Sequence, residues 1–90
     1  MTSLDADVLD EIRRVARAEL GHEGAIERTH ALREDLHLDS LGMVLVAVAL
    51  EDRFRVRLRE EDAAGVATVD DLVALVRRRV TEQHTGGGSR

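Results

Sequence analysis

Ten consecutive residues, Leu41-Gly42-Met43-Val44-Leu45-Val46-Ala47-Val48-Ala49-Leu50, are apolar or glycine, with Asp39-Ser40 before them and Glu51-Asp52 after. This run constrains the fold more than any other stretch. It is about half the roughly twenty residues needed to span a bilayer. Rich in Ala and Leu, in a chain with no proline, it predicts a helix from about Ser40 to Phe54. Ninety residues make one domain, stable enough to fold but too small for a deep catalytic cleft.

The flanking sequence supplies the other helices. Ser3 is a candidate cap for a helix with Leu4, Val8, Ile12, Val15 and Ala16 on one face, ended by Gly21. Residues 21–39 form a long connection anchored by Ile26, Leu32, Leu36 and Leu38, with one helical turn expected near Ala31–Asp35. Arg55-Val56-Arg57-Leu58 alternates like an extended connector, and Arg59–Ala64 predicts a short helix closed by Gly65. Thr68-Val69-Asp70-Asp71 resembles a capping box opening a last helix with Val69, Leu72, Val73, Val76 and Val80 on one face. The predicted architecture is all-α: a small bundle of three main helices and one short one, with a long first loop. The domain is expected to span residues 1–84, followed by a flexible Gly-rich tail at 85–90.

Helical spacing splits the central run into two stripes. Met43, Ala47, Leu50 and Phe54, with Val46 at the edge, are assigned to the core. Leu41, Val44, Leu45 and Val48 are surplus. Either neighbours bury the helix on both sides, or this stripe is an exposed apolar strip for a partner or a bound chain. The second reading is preferred, because so small a domain rarely encloses a helix fully. Gly42 is either tolerated near a helix end or leaves room for a bulky group to approach Ser40.

Composition narrows the function classes. The chain has no cysteine, which excludes disulfides and thiolate metal sites. Net charge is −5, and residues 1–40 hold ten acidic residues against five Arg. With Phe54 the only aromatic, neither a basic stripe nor a stacking platform for nucleic acid is present. The four histidines, His22, His30, His37 and His84, have no metal-binding spacing. The first residues lack the layout of a signal peptide, so a cytoplasmic monomer without a membrane segment is expected. A hydrolase built on Ser40 with His37 and Asp35 or Asp39 would need a strand–elbow–helix pattern, and none surrounds them. No enzyme is expected.

Ser40 would stand where helix N–H groups and the helix dipole favour an anion. Asp39-Ser40-Leu41, the Val44 to Leu50 run, Glu51-Asp52-Arg53-Phe54, the Leu58 connector, Glu60-Glu61-Asp62 and Thr68-Val69-Asp70-Asp71-Leu72 together resemble an acyl carrier protein over about residues 4–83. The resemblance implies that a phosphopantetheinyl transferase attaches 4'-phosphopantetheine from coenzyme A to Ser40. The arm's thiol would hold acyl groups as thioesters for acyl-loading, condensing and modifying enzymes. Asp39, Leu41 and Gly42 would flank the arm, Asp39 as helix cap, as part of the motif read by the transferase, or both. Leu41, Val44, Leu45, Val48, Glu51 and Asp52 would form the docking face. Gly42 and Leu45 stand where familiar bacterial fatty-acid carriers have an early acidic residue, which favours a polyketide or specialised lipid pathway and more hydrophobic docking. Peptidyl carriers usually have His before the serine, where this chain has Asp39. The rival reading is a non-catalytic helical protein-interaction module that uses the same apolar outer face.

Overall fold

The computed structural model describes residues 3–87, which form four helices: α1 (Leu4–Glu19), α2 (Ser40–Phe54), α3 (Glu60–Ala64) and α4 (Val69–Gly87). Helices α1, α2 and α4 begin where a short polar side chain takes up a free N–H group, as helix ends require. The Ser3 hydroxyl accepts from the Ala6 N–H, and Gly21 follows α1 at φ 69°, where a Cβ would be strained. At α4 the box is reciprocal. Thr68 Oγ1 accepts from the Asp71 N–H at 3.1 Å, and Asp71 Oδ2 accepts from the Thr68 N–H at 3.1 Å and the Ala67 N–H at 3.0 Å.

Helices α1, α2 and α4 pack on one another, while α3 stands off from that packing. Val8, Ile12 and Val15 of α1 meet Val46 and Leu50 of α2 and Val69, Val73 and Val76 of α4 in one buried cluster. Leu75 joins them, although the expected stripe of α4 omitted it. Glu11 is buried among these side chains, and Arg14 answers its carboxylate with two hydrogen bonds, at 3.1 and 2.6 Å. A buried carboxylate without such a partner would cost several kcal/mol.

The long connection is packed rather than loose. Ile26, Leu32, Leu36 and Leu38 are all buried, and the N–H groups of Asp35 and Leu36 both donate to the Ala31 carbonyl, forming the expected single turn. Its backbone pairs with the segment before α4: the Leu32 N–H donates to the Ala67 carbonyl, and the Val69 and Asp70 N–H groups donate to His30 and Arg28. Arg28 bridges Asp70 and Asp5, and Arg77 also reaches Asp5, tying this loop to both long helices.

Two boundaries differ from the sequence reading. The short helix starts at Glu60, with Arg59 as the residue before it. Helix α4 continues through Gly87, so residues 85–87 of the expected tail are helical, while residues 88–90 lie outside the described residues. A nucleated helix adds one hydrogen bond per residue, which carries it past weak helix formers.

Backbone N–H groups hold two carboxylates below their usual range. Ala67 and then Thr68 do so for Asp71, and Arg59 and then the Arg79 guanidinium for Asp62. Each folded-state pKa lies under the unfolded value of about 3.9. Their stabilisation is therefore complete above that value and is lost as pH falls below about 4 through the folded values. Thermal melts from neutral pH to pH 2 should show this loss, and Asp71→Asn should start lower and fall less steeply. Parallel curves would contradict it.

Candidate functional site

The second helix begins where the chain turns outward from the buried Leu38. His37 holds a left-handed backbone at φ 59°, and Asp39 then caps α2 by accepting the Gly42 N–H on Oδ1 at 2.7 Å. Ser40 is the first residue of the helix, and its side chain lies exposed at the domain's surface. Asp39 satisfies only one of the free N–H groups at this end, leaving those of Ser40 and Leu41 pointing along the helix dipole.

Gly42 is buried, and its close neighbours are Asp39 and Leu38. A Cβ there would come 3.3 Å from Asp39 Oδ1 and 3.3 Å from Leu38 Cδ2. Glycine here leaves the cap and the Leu38 anchor uncrowded against α2.

Around α2 the side chains fall into three faces. Val46 and Leu50 are buried against α1 and α4. Met43 and Ala47, assigned to the core from sequence, are half-buried and wall a cavity of about 210 Å³. Phe54, also assigned to the core, is half-buried and packs on its edge, with the Arg53 guanidinium 5.3 Å from its ring centroid. The third face is open: Leu41 is 66% exposed, Val44 55% and Val48 54%, the last two also forming the outer rim of the cavity. Leu45, expected with them, is only half-buried, because it sits at the border of that face. Asp52 is exposed, whereas Glu51 is half-buried and accepts the Leu58 N–H at 2.7 Å.

Two hollows meet beside this helix. One, of about 540 Å³, includes Ser40 with Leu32, Arg33, Glu34, Ala64 and Ala67. The 210 Å³ cavity runs along α2 beneath α3, with Leu58, Leu72 and Leu75 in its walls. Met43, Ala63 and Val66 line both, so the apolar cavity and the hollow at Ser40 lie side by side across these three side chains. The sequence pattern hid this cavity, because its far walls come from α3, α4 and the 55–59 connector.

His37, close to Ser40 in sequence, is exposed, and the His30 ring accepts the Glu27 N–H through Nδ1. Among the described residues no cluster of three or more His, Asp or Glu could hold a metal ion. No helix among them is long and apolar enough to cross a membrane.

Residues 10–76 match the phosphopantetheine attachment site family. The chain is 31% identical over 83 residues to an acyl carrier protein of Rhodococcus erythropolis, covering 91% of each. It is 34% identical over 73 residues to the meromycolate extension acyl carrier protein of Mycobacterium tuberculosis, covering 81% of this chain but 58% of that one. In three dimensions it superposes on an acyl carrier protein from Thermotoga maritima with a TM-score of 0.78 at 20% identity, covering 88% of this chain and 93% of that chain.

The Asp39 cap sets where α2 starts. Asp39→Ala should lower stability by about 0.5–2 kcal/mol, and Asp39→Asn, which keeps the acceptor oxygen, by much less. Denaturant titrations check this, and equal losses would rule out the cap as the source.

Proposed function

The chain belongs to the acyl carrier protein family, with a phosphopantetheine attachment domain and the all-α carrier fold, and we propose that Ser40 is its attachment residue. The observation that carries this is an exposed hydroxyl on the first residue of α2, beside a hollow that borders an apolar cavity. The free N–H groups of Ser40 and Leu41 suit the phosphate of the arm. Arg33, in the wall of the same hollow, offers a cation on the loop side. When bound, 4'-phosphopantetheine supplies a thiol that carries acyl groups as thioesters.

The protein's own residues then present and shelter, and partner enzymes do the chemistry. The exposed Leu41, Val44 and Val48 form the docking face, with Asp52 at its end. Leu45 contributes only from the border, and Glu51 is engaged within the domain. The cavity beside Met43 and Ala47 takes the apolar part of a bound chain. Partners are a phosphopantetheinyl transferase and the loading, condensing and modifying enzymes of a lipid or polyketide pathway. The mycobacterial relatives named for meromycolate extension favour specialised lipid synthesis, and the uncharged start of α2 agrees with that choice.

Incubation with coenzyme A and a broad-specificity transferase should add one phosphopantetheine to the wild type, read as intact mass, and none to Ser40→Ala. Because Asp39 rather than Ser40 caps the helix, Ser40→Ala should stay within about 0.5 kcal/mol of wild-type stability. A modified Ser40→Ala protein, or an unmodified wild type beside an active transferase, would refute the assignment.

A further inference from the structure

Glu51 is the last residue of α2 to line the apolar cavity. Met43, Ala47 and Glu51 follow one another at four-residue spacing along its α2 wall, from the Ser40 side to the far end. Glu51 lies three helical turns beyond Ser40, about 16 Å along the axis. Its Oε2 accepts the Leu58 N–H at 2.7 Å, and its backbone carbonyl accepts the Val56 N–H at 3.2 Å. One residue therefore holds both ends of the Val56–Leu58 stretch, and Leu58 and Arg59 close the cavity beside it.

That wall is built on short elements, with Val56 its buried anchor. Helix α3 has five residues and stands off from the packing of α1, α2 and α4. Upstream, the connector turns at Arg55 in a left-handed conformation, φ 57°, which is sparsely populated for a residue with a Cβ. Downstream it is fixed where Asp62 accepts the Arg59 N–H and pairs with Arg79. Between these points two bonds tie the stretch to α2, both on Glu51: its carbonyl takes the Val56 N–H and its carboxylate the Leu58 N–H. A carboxylate accepting an N–H is a strong bond for a half-buried site, and an apolar chain reaching it would strip water from its charge at a cost.

We infer that Glu51 is the chain-length stop of this carrier: its bond to Leu58 latches the connector shut and fixes how long an apolar chain the cavity takes. Longer chains require the latch to open. The inference rests on the proposed use of the cavity by chains attached through Ser40, and it assigns Glu51 to that specificity rather than to docking.

The test uses holo-protein charged with butanoyl, octanoyl, dodecanoyl and hexadecanoyl chains, with melting temperature and methyl–methyl nuclear Overhauser contacts as readouts. In the wild type, melting temperature should rise with chain length and then level off, with contacts to Leu72 and Leu75. Glu51→Ala should level off at a longer member of the series, as should Glu51→Asp, which keeps the charge but shortens the reach and serves if the Ala variant fails to fold. Glu51→Gln keeps an acceptor oxygen at the same reach and should match the wild type. Levelling at the wild-type length in both the Ala and Asp variants, or a Gln variant that follows Ala, would overturn the latch while leaving the cavity's use intact. A wild type with no rise and no chain contacts would overturn the use of the cavity, and the latch with it.

Discussion

The Asp39 carboxylate on the Gly42 N–H is the contact on which the geometry around Ser40 depends. It fixes the first turn of α2 directly after the buried Leu38, and the two together set the phase in which the helix leaves the loop. Gly42 makes the contact possible by leaving out the one carbon that would press on both partners. From that start, each later residue of α2 is assigned to a face by the 100° step of the helix. Ser40 points outward, Val46 and Leu50 inward, Met43 and Ala47 to the cavity, Leu41 to water, and Val44 and Val48 to the rim between cavity and water.

Most of the stability lies elsewhere. The buried cluster of α1, α2 and α4 supplies the apolar burial, and full burial of one Val or Leu side chain is worth about 1.5–3 kcal/mol. The ion pairs of Arg28 and Arg77 with Asp5 and Asp70 are exposed, and such pairs contribute little each. Their value is geometric, since they hold the first loop and the start of α4 in one register beside the backbone pairs of residues 28–32 with 67–70. The result is a frame of α1, α2 and α4 with the short α3 set at its side and tied to α4 by the Asp62–Arg79 pair.

The local rules of the sequence found what local physics controls. The Ser3 cap, the Thr68–Asp71 box, the Asp39 start of α2 and the single turn at 31–35 could all be read from neighbouring residues, and they recur in the structure. What could not be read depends on distant partners. Glu51 looked like the acidic end of a docking face, yet its partner is an amide seven residues on that only the Arg55 turn brings back. Leu45 fell on the outer stripe by angle but sits at its border, and the closeness of Leu38 to Gly42 depends on how the loop packs. Helix α4 outran its expected end because propagation overrides weak residues once a helix is well begun.

An open apolar face on α2 is what distinguishes a carrier that docks from a bundle that merely folds. The most direct measurement compares Val44→Ser and Val48→Ser with Leu50→Ala, by melting temperature and by transferase rate across a salt series. The two outer variants should melt close to wild type yet be modified several-fold more slowly, at low and physiological salt alike, because screening barely touches apolar contact. Leu50→Ala should lose about 2–5 kcal/mol of stability. Outer variants that melt as low as Leu50→Ala, or wild-type rates that collapse with salt while the outer variants match the wild type, would contradict the account.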